Sequence, residues 1–306
     1  MNLLDNNKDP FERISVEPLR EIAAYEALWQ TGAANFKKIA QLFSENPGKK
    51  PSDLVSEDVI QSFLSIMKEV LNSQDSENKA NVLINETYDY PSRLRDAQDP
   101  VEMLYYKGDL DLINSRSVAV VGTRKPSVEG LARTSKLVKC LIKDGFTIVS
   151  GLAEGIDTKA HETAIENEGK TIAVIGTPLN ECYPKKNKAL QNLIAKNYLL
   201  ISQIPFWIYG QRNYRTNRLF FPERNKTMSA LTEATVIIEA GETSGTLIQA
   251  KAALYQKRKL FILESCFQNK NITWPEKFEK QGAIRVRDYD DIRGALESHA
   301  PETAEN

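Results

Sequence analysis

The order of apolar and polar positions divides the chain into two parts with different periodicities. From residue 17 to about 72, apolar side chains recur at helical spacing in "EPLREIAAYEALWQ", "NFKKIAQLF" and "SEDVIQSFLSIMKEVL", which predicts helices. The polar run "NSQDSENKAN" then marks a boundary. From about residue 115, short runs rich in β-branched residues alternate with helix-length amphipathic segments. We therefore predict a helical N-terminal domain at 1–80, an α/β domain at 81–296 and a flexible tail at 297–306.

Seven apolar runs in the second part predict the strands of a sheet. They are "SVAVV", "FTIVS", "TIAVI", "LLIS", "TVIIEA", "LFIL" and "AIRV". Strands that are apolar throughout and alternate with helices are typical of a parallel sheet covered on both faces. With right-handed crossovers, the pattern predicts a Rossmann-like, doubly wound, mostly parallel α/β fold. Ligands of such sheets bind at the carboxyl ends of the strands, near the point where the strand order reverses.

Composition narrows the class of protein but does not decide its partner. The 306 residues are 41% hydrophobic, and 40 basic side chains against 41 acidic ones give a net charge of -1, so any basic nucleic-acid footprint has to be local. Cys140, Cys182 and Cys266 show no metal-like spacing, which predicts a reducing compartment and no metal site. No apolar run approaches the roughly 20 residues of a membrane helix. We therefore expect a cytoplasmic protein with no membrane contact.

Two of the predicted strands run into turns that are suited to anions. Gly122 and Arg124 follow the first strand, where glycine admits a ligand close to the backbone and arginine can hold a phosphate with two hydrogen bonds. Ser244 begins a similar strand-to-helix turn, and the amides at a helix N-terminus favour an anion. A plain turn is the competing interpretation in each case. The dinucleotide motif G-x-G-x-x-G is absent, so we expect no nicotinamide or flavin cofactor.

A third strand-to-helix turn contains one of the two histidines. In "SGLAEGID", small residues end a buried strand, and Asp157 is predicted to be the N-cap of the next helix. His161 lies one turn further on and is interpreted as structural rather than catalytic, because the positive helix end opposes its protonation. No serine, cysteine and acid set completes a nucleophile arrangement around it. We therefore predict no catalytic residue.

Lysines follow the Tyr-Pro pair of "NECYPKKNKAL". Lys185, Lys186 and Lys188 come after a predicted strand, so they are expected at the same edge of the sheet. Solvated surface lysines are the competing interpretation.

The stretch "WIYGQRNYRTNRLFFPERNK", residues 207–226, departs most from the neutral average of the chain. It holds five basic residues against one acid, Glu223, and interleaves them with aromatic rings. Arginine holds phosphates and aromatic faces stack unpaired bases, which is the chemistry of single-strand binding. A basic loop packed onto the core by its aromatics is the alternative. The basic residues are Arg212, Arg215, Arg218, Arg224 and Lys226.

Taken in order, these segments resemble the DNA-processing protein A family, DprA, also called Smf. The resemblance runs from about residue 86 to about 265 and is carried by "VAVVGTRKPS", "IVSGLAEGIDTKAH", "GKTIAVIGTPLNECYPKKN", "FFPERN" and "SGTLIQAKAAL". It implies a Rossmann-like sheet with an extended N-terminal strand segment, and no enzymatic activity or cofactor. It also implies binding of single-stranded DNA in a basic pocket, a homodimer, and loading of the recombinase RecA during natural transformation.

Carried over by position, the resemblance implies a set of DNA-binding residues. Arg124 and a lysine of the Tyr-Pro turn would hold phosphate, and the glycines after the second strand would shape the pocket wall. The full predicted set is Gly122, Thr123, Arg124, Ser150, Gly151, Gly155, Lys185, Lys188, Arg212, Arg215, Arg224, Asn225, Lys226, Ser244, Gly245 and Thr246.

Departures from the family pattern keep other functions open. The family's "SE.P" is "SQIP" here, and the connection from Pro205 to Phe221 is longer and more basic than usual, which bears on RecA loading. The alternative is a nucleotide sensor or a phosphoribohydrolase-like enzyme on the same sheet. Glu239 and Glu242 keep carboxylates in the loop that such hydrolases use, although the Pro-Gly-Gly of that loop is missing. A protein-docking role for the N-terminal helices is a third hypothesis.

Overall fold

The computed structural model describes residues 17–30, 34–72, 80–85, 87 and 89–297. The predicted tail at 297–306 lies outside these residues, except for Glu297, which ends the last helix and so does not belong to a tail. Most of the predicted boundary before residue 81 also lies outside them. No helix in the described part of the chain is long and apolar enough to cross a membrane.

Three α-helices occupy the described part of the region predicted to be helical. Proline at the first position of the first helix needs no amide partner there, and the side chain of Asn35 caps the second helix by accepting a hydrogen bond from the Lys38 amide at 3.0 Å. The helices are α1 (Pro18–Leu28), α2 (Phe36–Ser44) and α3 (Glu57–Asn72).

Nine strands form one sheet within the described residues, in the order β1-β2-β6-β5-β4-β3-β7-β8-β9. Neighbours from β6 to β9 run parallel, whereas β2 pairs antiparallel with both β1 and β6. All seven strands expected from apolar runs are present. The strands are β1 (Asn81–Ile84), β2 (Met103–Gly108), β3 (Ser117–Val121), β4 (Thr147–Ser150), β5 (Thr171–Ile175), β6 (Leu199–Ser202), β7 (Ala234–Ile237), β8 (Lys259–Leu263) and β9 (Ile284–Val286).

Helices cover both faces of this sheet, which confirms the predicted Rossmann-like α/β fold. Alternate side chains of β3 point to opposite faces, so Val118 and Val120 pack with one set of helices and Ala119 and Val121 with the other. The first face carries α4 (Val128–Lys143), α5 (Ile156–Glu166) and α13 (Tyr289–Glu297). The second face carries α9 (Phe220–Leu231), α10 (Thr246–Tyr255) and α12 (Trp274–Glu279). The remaining helices are α6 (Lys188–Asn197), α7 (Phe206–Gln211), α8 (Tyr214–Asn217) and α11 (Glu264–Phe267).

The N-terminal helices share a hydrophobic core with the sheet. The Trp29 ring lies 4.8 Å from that of Phe36 and 6.4 Å from that of Phe220, measured between centroids, so one buried side chain links two of the helices to α9. The same cluster of buried residues includes Ala173 and Leu200 of the sheet. Division of the chain into separate domains at residue 80 stays a prediction.

A buried carboxyl also joins these helices to the rest of the chain. Glu26 of α1 is fully buried and accepts hydrogen bonds from the Tyr105 hydroxyl at 2.8 Å and from the amides of Phe206 and Trp207 at 2.8 and 3.0 Å. Burial raises its pKa to about 7, because the charged form loses the solvation of water. The first turn of α7 is thereby fixed to α1.

Candidate nucleic-acid interface

A cavity of about 590 Å³ opens at the carboxyl edge of the sheet. It lies where the strand order reverses, because β3 has β4 on one side and β7 on the other. Turns that follow β3 and β7 form part of its wall. The rest comes from the loops after β4 and β5, from α5, from the α8–α9 segment and from α10. The predicted location at the strand ends therefore coincides with a real cavity.

The turn after β3 is held firmly by its backbone. The Thr123 amide donates to the Glu239 carbonyl at 2.7 Å, and the Thr123 carbonyl accepts from the Ile156 amide at 3.2 Å. A side chain at Gly122 would collide with that same Glu239 carbonyl at 2.8 Å, so glycine is needed there for packing. With the backbone fixed, the exposed Arg124 side chain extends along the cavity, and its guanidinium lies 5.9 Å from the centroid of the Phe221 ring.

The turn after β7 leaves space beside its backbone. Gly241 and Gly245 line the cavity, and a side chain added at either would meet no atom within 4 Å. Neither glycine has a positive φ, so the backbone does not require one at these positions. Ser244 and Thr246, on either side of Gly245, also line the cavity, and their hydroxyls lie 3.0 Å apart. A ligand can therefore approach this backbone closely.

Arg224 of α9 forms the floor of the cavity. It is only 4% exposed, and its Nη1 donates to the carbonyls of Gly151 and Val174, at the ends of β4 and β5. Its Nε donates to the Asn225 side chain at 2.9 Å. Burial lowers the pKa of Arg224 to about 10, against the favourable charge of Asp157. This arginine ties a helix to two strands, and it adds positive potential to the cavity.

Asp157 also lies in the cavity wall and is 5% exposed. It is not the helix N-cap that the sequence predicted, because that position is Gly155 and Asp157 sits in the first turn of α5. Its carboxylate instead accepts from the Ala153 amide of the preceding turn at 3.4 Å. Burial raises the pKa of Asp157, although the nearby charge of Arg224 opposes the shift.

Three aromatic rings form another part of the cavity wall. The Phe221 ring is 5.5 Å from the Tyr183 ring, and the Tyr214 ring is 6.4 Å from the Tyr183 ring, measured between centroids. Phe221 lies against the end of β5, where a side chain at Gly176 would come within 2.6 Å of it. Arg218 lines the cavity beside these rings. The site therefore combines flat faces, cations and open backbone.

Residues 81–297 match the family model for DNA recombination-mediator protein A. The chain belongs to this family. The "DNA processing protein DprA" of Streptococcus pneumoniae R6 is 41% identical over 174 residues, which are 57% of this chain and 59% of that protein. That of Bacillus subtilis is 34% identical over 204 residues, 66% of this chain and 67% of that protein. "Protein Smf" of Synechocystis is 42% identical over 179 residues, 57% and 44% of the respective chains.

Solved DprA structures share the fold. The crystal structure of Streptococcus pneumoniae DprA matches with a TM-score of 0.71 at 26% identity, over 92% of this chain and 98% of that one. The Helicobacter pylori DprA structure, described for its single-stranded DNA binding mode, matches with a TM-score of 0.60 at 29% identity, over 72% and 97%. The family resemblance identified from the sequence is confirmed.

Nine of the sixteen predicted site residues of this DprA-family chain meet at the cavity. Eight line it directly, and Gly151 lines a small adjoining pocket together with Arg124 and Arg224. A side chain at Gly151 would collide with the Arg224 guanidinium, so this glycine is required for the arginine to reach the strand ends. The nine are Gly122, Thr123, Arg124, Gly151, Arg224, Asn225, Ser244, Gly245 and Thr246.

Two predicted residues lie behind the wall. Ser150 is fully buried, and its hydroxyl donates to the Val120 carbonyl at 2.7 Å, so it holds β4 to β3. Gly155 has φ +80 and shapes the turn before α5, where a side chain would come within 2.5 Å of the Thr123 carbonyl. Both support the site without lining it.

Two predicted cations are held in other contacts. Arg212 donates to the Ala34 carbonyl at 3.0 Å and lies over the Phe220 ring, which fixes α7 to the N-terminal helices. Lys226 forms ion pairs with Glu223 at 3.0 Å and with Asp99 at 3.5 Å. Neither lines the cavity.

Arg215, Lys185 and Lys188 are exposed outside the cavity. Tyr183, just before the two lysines, lines it, and so does Tyr214, just before the arginine. Their predicted contact with DNA stays a prediction.

His161 is structural, as interpreted from the sequence. The imidazole is fully buried, its Nδ1 lies 2.7 Å from the Thr171 hydroxyl, and burial lowers its pKa to about 3. The ring is therefore neutral and lies within the core rather than in the cavity.

The two carboxylates on which the hydrolase alternative depends, those of Glu239 and Glu242, accept hydrogen bonds from neighbouring loops. Glu239 accepts from the amide and hydroxyl of Ser127 at 3.2 and 2.9 Å, where α4 begins. Glu242 accepts from the amide and hydroxyl of Thr273 at 2.7 and 2.8 Å. Neither lines the cavity, and no cluster of histidine, cysteine and acidic side chains among the described residues suits a metal ion.

The predicted set missed several cavity residues, and a spacing in the sequence could have found four of them, Tyr214, Arg218, Phe221 and Met228. Positions 214, 218, 221, 225 and 228 recur every three or four residues, so they share one side of the α8–α9 segment, and all five line the cavity. The missed residues with chemistry suited to a nucleotide are Lys125, Asp157, Tyr183, Tyr214, Arg218 and Phe221.

Proposed function

We propose that this DprA-family chain holds a single strand of DNA in the cavity and acts, without catalysis, as a recombination mediator. One observation carries the proposal: turns from separate strands bring Arg124, the Tyr183–Phe221 ring pair and the open glycine turn around one space. Family membership supports the recombination role.

The cations of the cavity are suited to phosphate. Ion pairs between described residues do not use Arg124, Lys125 or Arg218, so the charge of these side chains is available to a ligand. The turn at Gly245 offers close approach to the backbone where α10 begins. Such contacts recognise any sequence, because every nucleotide has the same phosphate.

The aromatic wall favours an unpaired strand over a duplex. Tyr183 and Phe221 offer ring faces, and a base can stack on them only when it is free of its own neighbours. Bases in a duplex are stacked on their neighbours, so their faces are covered. Only the phosphates of a duplex can contact this wall.

A titration of fluorescent oligonucleotides by anisotropy tests the proposal. We expect Arg124→Ala to weaken binding by about tenfold on every sequence, because a phosphate contact is lost. The matched control is Lys139→Gln, an exposed lysine near the far end of α4, which should bind like wild type. Affinity should fall as salt rises, since phosphate contacts release counterions. Absence of binding at low salt, or equal binding by Arg124→Ala, contradicts the proposal.

Further parts of the predicted function remain predictions. RecA loading and a homodimer rest on the family resemblance, and the matched region covers 44 to 67% of the three relatives. A cytoplasmic location rests on the cysteine pattern and the apolar runs of the sequence. Size-exclusion chromatography with light scattering checks the dimer, and RecA filament formation on coated strands checks the loading.

A further inference from the structure

The connection between β6 and α9 presents an exposed surface at the mouth of the cavity. Tyr214 and Leu219 are 59% and 66% exposed, and Arg215 beside them is also exposed. Arg218, four residues after Tyr214, lines the cavity. We call Tyr214, Arg215, Arg218 and Leu219 the ledge.

The ledge stands on a well-packed base. The Phe206 ring packs on Tyr105 at 5.0 Å and the Trp207 ring on Phe63 at 5.4 Å, so α7 is fixed at the start of the connection. The Asn217 side chain donates to the Tyr209 carbonyl at 3.0 Å, which joins α8 to α7. The backbone that carries the ledge is therefore fixed to the rest of the molecule.

The ledge is positively charged and continuous with the cavity. Ion pairs within the described residues use neither Arg215 nor Arg218, and Glu223, the acid of the stretch, pairs with Lys226. The hydroxyl of Tyr214 lies 3.4 Å from that of Tyr183 in the cavity wall. A strand that leaves the cavity on this side meets a ring and two cations.

We propose that the ledge is a second nucleotide subsite, which holds the nucleotide next to the one in the cavity. The inference rests on the proposed function, because the cavity has to hold a nucleotide of the same strand. An unpaired base stacks on the outer face of Tyr214, and the phosphate between the two nucleotides lies between Arg215 and Arg218. The ledge therefore selects a polynucleotide over a free mononucleotide.

Comparison of a thymidine 3′,5′-bisphosphate with a thymidine trinucleotide by calorimetry tests the proposal. We expect wild type to bind the trinucleotide at least about tenfold more tightly, because one more base is stacked. Tyr214→Ala should lose most of this gain, and Tyr214→Phe should keep it. Tyr255→Ala is the matched control, since Tyr255 is 60% exposed at the far end of α10, and it should keep the full gain.

Charge is tested separately with Arg215→Gln. We expect the variant to reduce the gain from mononucleotide to trinucleotide several-fold, and to lower the slope of log affinity against log salt by about 0.7, the value for one phosphate contact on a single strand. Lys139→Gln removes the same charge far from the cavity and should change neither quantity.

The outcomes separate this proposal from the one on which it rests. No gain from the longer ligand in wild type, or equal gains in Tyr214→Ala and Tyr255→Ala, overturns the second subsite and leaves the cavity as a binding site. If neither ligand binds, or Arg124→Ala binds both like wild type, the proposed function fails. Thermal unfolding of each variant shows that it is folded.

Discussion

Two arginines that look alike in the sequence have different roles in the structure. Arg124 and Arg224 each lie within a segment that carries the family resemblance. The first is exposed, whereas the second is 4% exposed and donates hydrogen bonds to two strand-end carbonyls. The sequence predicts both as cavity residues, but it does not separate them, because burial depends on how α9 packs against β4 and β5. The same limit explains why Asp157 was wrongly predicted to be a helix N-cap: its position in the sequence suited a cap, but its burial in the cavity wall depends on tertiary packing.

Arg224→Gln and Arg124→Gln should therefore separate stability from binding. We expect Arg224→Gln to lower the free energy of unfolding by about 2–4 kcal/mol, since it leaves the Gly151 and Val174 carbonyls without their donor. Arg124→Gln should change it by less than about 0.5 kcal/mol, as is usual at exposed positions. Urea denaturation measures both. Equal stability of the two variants would contradict the assigned roles.

The buried Glu26 carboxyl predicts a pH dependence of stability. Its pKa of about 7 in the folded chain lies above the ordinary value of 4.5, so folding favours the protonated form, and stability is lost as pH rises through 7. Between pH 5 and 8 we expect the difference in unfolding free energy, wild type minus Glu26→Gln, to fall by roughly 2 kcal/mol.

The difference in unfolding free energy between wild type and Glu26→Gln separates the effect of Glu26 from that of His161. The lowered pKa of His161 makes stability fall as pH drops below its ordinary value of 6.5, which opposes the Glu26 trend in wild type but is common to both proteins. Urea denaturation at a series of pH values measures the difference. A difference that is flat from pH 5 to 8 would show that Glu26 does not titrate in that window.

At the scale of elements, apolar runs predicted the parallel strands well and missed the two antiparallel strands, β1 and β2. A strand such as β3 is buried on both faces, and its continuous apolar run is a strong signal. β1 and β2 lie at the antiparallel edge, and "NVLI" and "MLYYKG" mix polar and apolar positions. No apolar run predicted either strand, and the family resemblance implied only an extended N-terminal strand segment, without its place in the sheet.

Alanine substitutions at Gly122 and Gly245 should distinguish the turn after β3, which is packed, from the turn after β7, which is open. Gly122→Ala should destabilise the chain by about 1–3 kcal/mol, because the added methyl meets the Glu239 carbonyl and Ile156 where the β3 turn packs. Gly245→Ala has open space and should leave the unfolding free energy within about 0.5 kcal/mol, while it weakens oligonucleotide binding severalfold. Thermal unfolding and anisotropy measure the two effects. Unchanged binding by Gly245→Ala would show that no ligand approaches this turn.

At the scale of the whole molecule, the sequence predicted the N-terminal helices and the sheet, but not that they pack against each other in one core. Trp29 was assigned to a helical face, and nothing in its periodicity showed that it would contact Phe220 of α9. Contacts between residues so distant in sequence leave no local pattern. The core clusters show that α1 to α3 and the β5–β6 side of the sheet bury one another.

Trp29→Ala should destabilise the whole chain. The side chain is fully buried, so we expect a loss of about 3–5 kcal/mol of unfolding free energy, in a single transition seen alike by circular dichroism and fluorescence. Leu193→Ala, at a 40% exposed position, should change it by less than about 0.5 kcal/mol. Two separate transitions would show instead that the helices unfold as an independent domain.

The central claim is that an unpaired strand enters the cavity at the strand ends. Photo-crosslinking of a single-stranded oligonucleotide that contains 5-iodouracil, followed by mass spectrometry, tests it most directly, because the crosslink marks the aromatic ring on which the base is stacked. We predict crosslinks to Tyr183, Tyr214 or Phe221. An excess of unlabelled single strand should abolish them, and a labelled duplex should give much weaker crosslinks. Crosslinks confined to aromatic residues away from the cavity, such as Tyr255, would contradict the account.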